Sequence, residues 1–222
     1  QTVLVTSGSS VAGARIVAGP ARNMKVTTAE DLAMAEAMVR GPDRRSAGDD
    51  GRPVIRVGSG YDLHRLVDGR PLVLGGVAIP FDRGLAGHSD ADALCHAVTD
   101  ALLGAASQGD IGQHFPDSDE RWRGASSIDL LRRAAGIVAF LGYRVVNVDA
   151  TIVAERPMLG PYRAAMASGL ASALGVEPSS VSVKAKTNEG VDAAGRGEAI
   201  AVHAVALIEQ RAADSGQPTA DT

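Results

Sequence analysis

The chain has 222 residues, 45% of them hydrophobic but only 3% aromatic, so it can bury one large domain, or a medium domain with an appendage, whose core Ala, Val and Leu must fill. A formal net charge of -4 argues against a protein that coats nucleic acid, which would carry a basic face. The single cysteine, Cys95, excludes an intrachain disulfide and a multi-cysteine zinc knuckle, and fits a reducing, cytoplasmic location.

No run approaches the ~18 apolar residues that a membrane span needs. No charged opening followed by an apolar stretch reads as a secretory signal. The first residue is Gln1 rather than Met, as expected of a fragment or a processed product.

In chain order, Val3 to Val5 suits a strand. Thr27 or Thr28 can cap a helix with an acidic first turn, and Leu32, Ala35 and Met38 or Val39 give it an apolar stripe. About 40 residues are too few for an independent core, so residues 1–39 read as the remnant of another domain. The charged, Gly-containing stretch that follows lacks large apolar side chains, and a linker is expected over 40–53. The main domain is expected over 54–210, with 211–222 as a disordered tail.

Residues 54–57 form a β-type run that ends in Gly58-Ser59-Gly60. Two short strands, 72–74 and 77–79, flank Gly75-Gly76 as a hairpin. A helix is predicted over 90–106, with Leu94, Val98, Ala101, Leu102 and Ala105 on one broad face. A second helix, 126–141, starts at Ser126 or Ser127 and stops at Gly142. Residues 143–153 alternate as a strand, 162–174 form a third helix stopped by Gly175, and 181–186 and 198–208 are strands. This order predicts an α+β fold in which helices cover one face of a mixed sheet.

Chemistry concentrates at four places. In Asp62-Leu63-His64 an extended backbone aims the carboxylate and the imidazole to the same side. With His96, from the first long helix, they make two histidines and one carboxylate, a zinc set that leaves a position open for substrate or water. Asp92 and Asp100 lie four residues either side of His96 and are candidates to orient its ring, or are plain solvated carboxylates. Cys95 reads as core filler. His88 and Ser89 stand where a loop meets the helix, a place that attracts phosphate, although Ser89 or Asp90 can equally be an ordinary cap. The polar loop from Gly109 to Asp119 is longer than a turn requires and offers carboxylates to a polyol. Lys184 to Glu189 and Gly195 to Glu198 carry cations suited to phosphate oxygens, and Glu189 suits magnesium; the plain reading is a strand end and a turn.

Taken together, these residues resemble a known family. Arg56-Val57-Gly58-Ser59-Gly60-Tyr61-Asp62-Leu63-His64, Leu74-Gly75-Gly76-Val77, His88-Ser89-Asp90 and the run from Leu94 to Gly104 are similar to 2-C-methyl-D-erythritol 2,4-cyclodiphosphate synthases. Asp110-Ile111-Gly112, Phe115-Pro116-Asp117-Ser118-Asp119, Asn147-Val148-Asp149 and Gly195-Arg196-Gly197-Glu198 continue the likeness in order. The resemblance implies a homotrimer with active sites between subunits, acting on a cytidine diphosphate-linked substrate. It implies zinc or a similar divalent ion on Asp62, His64 and His96, and a second metal, Mg2+ or Mn2+, on Glu189 and the substrate diphosphate. His88 and Ser89 would contact phosphates, and His88 with Thr187 would stabilise the transition state. Asp110, Ile111, Gly112, Phe115, Pro116, Asp117, Ser118 and Asp119 would hold the methylerythritol part. Leu63 and Arg196 fall in the same set of substrate-binding positions. The segment from Ala154 to Gly160, with Lys186, Thr187, Asn188 and Glu189, would frame the cytidine and its diphosphate.

The chain departs from that pattern in places. Met158 stands where lysine is common and Lys186 where threonine is common, and 190–194 lacks the usual lysine and phenylalanine. Lys186 is the candidate to supply the cation lost at Met158. Residues 21–32 resemble the C-terminal end of 2-C-methyl-D-erythritol 4-phosphate cytidylyltransferase, with Lys25 at a substrate-contacting position. That points to the tail of a bifunctional fusion, without transferase activity of its own. Two alternatives make different predictions. A zinc-dependent phosphoester hydrolase adds solvent oxygen to its product, and a non-catalytic trimeric binding protein holds no metal.

Overall fold

The computed structural model describes residues 53–211. The strand expected at Val3 to Val5, the helix expected from Thr27 or Thr28, Lys25, the linker up to residue 52 and the tail beyond Arg211 lie outside the described residues.

Five strands form one sheet in the order β4-β1-β7-β5-β6. They are β1 (Ile55–Asp68), β4 (Arg83–Leu85), β5 (Tyr143–Val153), β6 (Val181–Lys186) and β7 (Ala199–Gln210). Neighbours run antiparallel except β5 and β6, which run parallel. A parallel pair needs a crossover, and helix α4 (Arg163–Leu174) lies in that connection. The other helices are α1 (Ala93–Ala105), α2 (Ile111–His114), α3 (Ser127–Phe140) and α5 (Asp192–Gly195). Among the described residues, no helix is long and apolar enough to cross a membrane.

The α+β expectation holds, and the expected strands and long helices are present within a few residues. Strand β1 is the main difference. It does not end at Val57 but runs to Asp68, because its glycines serve packing rather than a turn. A Cβ on Gly58 would sit 2.0 Å from the Ala101 carbonyl oxygen, and one on Gly60 would sit 1.9 Å from that of Ala97. Helix α1 therefore lies directly on the β1 backbone, which only glycine permits. Three short elements, β4, α2 and α5, carry too few residues to show a period.

Side chains alternate along the sheet. On one face, Ala150, Ile152, Ile200, Val202 and Ile208 meet Leu94, Leu102, Leu131, Met166 and Leu170 in the core. Ile55, Val57, Tyr61, Leu63 and Val205, each 46–63% exposed, share the other face of β1 and β7. Gly75 and Gly76 have positive φ, 60° and 74°, as a two-residue hairpin turn between β2 (Leu72–Leu74) and β3 (Val77–Ile79) requires.

Asp92 ties that turn to the helix. Its carboxylate accepts from Leu94 N (3.1 Å) and Cys95 N (3.0 Å) as the cap of α1, and from Gly75 N (2.9 Å) and Gly76 N (2.7 Å). The helix thus starts later than residue 90, and neither Ser89 nor Asp90 is its cap.

Candidate active site

Strand β1 presents Asp62 and His64 on the helix-covered face, and α1 presents His96 towards them. His64 Nε2 lies 2.9 Å from Asp62 Oδ2, His96 Nδ1 lies 3.0 Å from the same oxygen, and the two ring nitrogens are 3.2 Å apart. Ligands held tetrahedrally about 2.0–2.1 Å from a zinc ion stand roughly 3.3 Å from one another. These three side chains, which group as a possible metal site, therefore fit a divalent ion.

The far side of each ring is also held. His64 Nδ1 donates to the Ala86 carbonyl (2.6 Å), which leaves the Nε2 lone pair facing Asp62 and His96. Ser127 gives its one hydroxyl hydrogen to Asp90 Oδ1. Its oxygen therefore accepts from His96 Nε2 at 2.9 Å, with Ser89 Oγ also 3.2 Å from that nitrogen. Nδ1 of His96 is thereby the nitrogen left to bind an ion. Asp62 Oδ1 accepts from Leu63 N (2.9 Å), so its position is fixed as well.

Neither Asp92 nor Asp100 orients His96. Asp92 is fully buried on four backbone N–H groups, so it is not a solvated carboxylate either. Asp100 accepts from Ile111 N (2.8 Å). A spacing of four places them near His96 along the helix but does not say which donors they meet.

Charge in the cluster is lopsided. Burial pushes the Asp62 carboxyl up, but hydrogen bonds and charge from His64 and His96 outweigh this and hold it well below the usual range. Burial pulls His64 down, and the Asp62 carboxylate more than offsets it, leaving the imidazole above its ordinary value.

A cavity of about 340 Å³ opens beside the cluster. Of the residues expected from the sequence, it collects Asp62, His64, His88, Ser89, His96, Ile111, Gly112, Phe115, Pro116 and Asp117. Gly87, Trp122 and Leu130 also line it and were not anticipated. Trp122, the one tryptophan of the chain, stands edge-on to Phe115 with ring centres 5.2 Å apart. A lone large aromatic in a polar loop was the available signal. Ser127, Asp90 and Ala86 left none, because their role depends on which ring edge they meet.

The other expected residues lie elsewhere. Asp110 caps α2 through Gln113 N (3.0 Å). Asp119 accepts from Arg121 N (3.0 Å) and pairs with the Arg121 guanidinium, and Ser118 is not part of the cavity wall. Leu63 points to the opposite face of the sheet, as alternation requires. Register places Leu63, Ala201, Val153 and Lys186 in one row across β1, β7, β5 and β6. Lys186 thus ends the row that Leu63 begins, about 14 Å away at ~4.8 Å per strand.

Near that end, Ala154 N donates to the Lys186 carbonyl (2.9 Å). Thr187 Oγ1 donates to Glu189 Oε1 (2.7 Å), and Asn188 Nδ2 donates to Asp192 Oδ2 (2.7 Å). Met158 is 69% exposed, Gly160 is exposed at the start of a short 3-10 helix, and Arg196 pairs with Glu198 at 2.9 Å. The expected site residues therefore form two groups.

A family model described as the YgbB family matches residues 55–209. The 2-C-methyl-D-erythritol 2,4-cyclodiphosphate synthase of Desulfosudis oleivorans is 60% identical over 162 residues, covering 72% of this chain and 96% of its own length. The bifunctional enzyme IspD/IspF of Desulforudis audaxviator is 52% identical over 207 residues, covering 92% of this chain. The chain spans only 50% of that relative's length, consistent with a fusion remnant. A solved 2C-methyl-D-erythritol-2,4-cyclodiphosphate synthase, 42% identical, matches with TM-score 0.65 over 69% of this chain and 99% of its own. The bifunctional IspDF from Campylobacter jejuni, 38% identical, matches with TM-score 0.69 over 72% of this chain and 43% of its own. The chain belongs to the YgbB family, and the relatives it resembles are 2-C-methyl-D-erythritol 2,4-cyclodiphosphate synthases and bifunctional IspD/IspF enzymes.

Proposed function

We propose that the cavity beside Asp62, His64 and His96 closes a cyclic diphosphate from 4-diphosphocytidyl-2-C-methyl-D-erythritol 2-phosphate and releases CMP, a step in isoprenoid precursor synthesis. The convergence of three metal-type ligands on one side of a polyol-sized cavity carries this reading. In the reaction an oxygen of the 2-phosphate forms a bond to the β-phosphorus. The bond from that phosphorus to the bridging oxygen breaks, and CMP leaves with the electron pair.

Two anionic groups must meet, so repulsion is the obstacle. Asp62, His64 and His96 would hold zinc or a similar ion, and Glu189 with the diphosphate would hold Mg2+ or Mn2+; both would supply positive charge against that repulsion. His88 and Ser89 donate to phosphate oxygens at the cavity wall, and His88 and Thr187 stabilise the charge that develops in transfer. Ile111, Gly112, Phe115, Pro116 and Asp117 enclose the methylerythritol part, with Asp110, Ser118 and Asp119 in the same loop, and hold attacker and phosphorus in line. The segment from Ala154 to Gly160, with Lys186, Asn188 and Arg196, takes the cytidine side. A solved Plasmodium falciparum IspF is a CDP complex, which supports a cytidine-linked ligand.

The active assembly is a homotrimer. The metal-side group sits under the helices, whereas Lys186 shares the uncovered face with Leu63. The apolar side chains on that face suit burial against further copies. A neighbouring copy then brings the cytidine-side residues to the cavity. The catalytic domain spans 54–210, preceded by a cytidylyltransferase remnant and a linker.

Incubation with this substrate and Mg2+, before and after zinc removal, tests the reading. CMP release should stop on stripping and return on adding Zn2+. Equal release by stripped and reloaded protein would contradict it.

A further inference from the structure

The geometry points to Arg70 as the positioning residue that fixes His88 for phosphoryl transfer. Its guanidinium forks over the loop that carries His88: Nη1 donates to the Gly87 carbonyl at 2.9 Å, and Nη2 donates to the Ser89 carbonyl at 2.8 Å. The carbonyls of both residues flanking His88 are thus held by one planar group, a geometry that arginine offers and lysine does not. The His88 carbonyl between them accepts from Gly124 N at 2.9 Å, so three successive carbonyls are occupied.

Arg70 itself is placed by close backbone packing. A Cβ on Gly84 would lie 2.5 Å from the Arg70 carbonyl oxygen and 2.3 Å from that of Pro71. Only glycine there lets the chain at 70–71 lie flat against β4. The same loop also supplies the Ala86 carbonyl to His64 and the Ser89 hydroxyl to His96.

His88 gains nothing comparable from its own ring. Its Nε2 is buried without a hydrogen-bond partner among the described residues, while the residue lines the cavity. The ring is therefore held through its backbone, and Arg70 holds that backbone. Among the described residues no carboxylate pairs with Arg70, so its guanidinium is committed to these two carbonyls.

This inference rests on the cyclodiphosphate synthase reading, and a double-mutant cycle separates the two. Arg70→Ala should lower kcat by about a hundredfold, the scale expected when a reacting group is displaced by about 1 Å. Zinc content and far-UV circular dichroism should stay as in the parent. Arg70→Lys, which keeps the charge without the fork, should recover only part of the loss. In a His88→Ala background, Arg70→Ala should cost less than about threefold, because its effect passes through His88. Equal losses in both backgrounds, parental kcat in Arg70→Ala, or a kcat loss matched by lost zinc would overturn the assignment to His88. Failure of the unsubstituted protein to release CMP would instead remove the proposed reaction.

Discussion

His96 Nε2 and Ser127 Oγ are joined by a 2.9 Å hydrogen bond that spans from α1 to the first turn of α3. Ser127 is fully buried and spends its own hydrogen on Asp90, so it can only accept from the ring. This relay keeps a proton on Nε2 and leaves Nδ1 for an ion. Ser127→Ala should weaken zinc binding roughly 10- to 100-fold, the usual effect of removing a partner that orients a ligand. Competition with a chromogenic chelator measures it, and an unchanged Kd would show that the relay has no role.

The glycines of β1 make a stability prediction with an internal control. Gly60→Ala forces a methyl to within 1.9 Å of the Ala97 carbonyl oxygen. It should cost at least about 3 kcal/mol in urea unfolding, because helix and strand must separate. Gly136 in α3 has nothing within 4 Å of its Cβ position, and Gly136→Ala should stabilise by about 0.5–1 kcal/mol. Similar losses in both variants would contradict the packing argument.

Cys95 should be inert while the protein is folded. Burial pushes its thiol well above the ordinary value, with the Asp92 carboxylate adding to the effect. A higher value means less thiolate at any given pH, and thiolate is the reactive form. Ellman's reagent at pH 8 should therefore label no thiol in the native protein and one per chain in denaturant. Rapid labelling of the native protein would mean that the helix α1 core opens freely.

Lys186 carries the prediction for the cytidine side. It is exposed at the end of β6, and Met158 leaves that side one cation short. Lys186→Gln should raise the Kd for CMP about tenfold, as loss of a charge-assisted hydrogen bond does. Calorimetric titration reads the change. An unaltered Kd would mean that the cation at Met158 is not replaced by this lysine.

What the sequence made legible follows from which signals are local. The Asp62 and His64 pair was readable because strand periodicity puts alternate residues on one side. The Gly75-Gly76 turn was readable because both positions need positive φ. Gly58 and Gly60 misled for the opposite reason: in a strand, glycine can mark a turn or a close neighbour, and the neighbour, Ala97 to Ala101, lies about 40 residues on. Asp92 and Asp100 shared the right spacing with His96, yet their partners are backbone N–H groups set by the β2-β3 turn and by α2. Leu130 joins the cavity wall through α3 beside α1, a placement that leaves no local signal, and Trp122 stands in the wall against Phe115. How far Lys186 and its neighbours stand from Asp62 within one chain left no local signal, because it follows from the strand order β1-β7-β5-β6.

Isotope tracing on the complete reaction tests the central claim most directly. The purified chain, its metals and the cytidine-linked substrate are incubated in 18O-labelled water, and the products are weighed by mass spectrometry. Intramolecular attack predicts CMP and a cyclic diphosphate in equal amounts, neither carrying the label. An open-chain phosphate that has gained one labelled oxygen would mean that water, not the 2-phosphate, is the nucleophile.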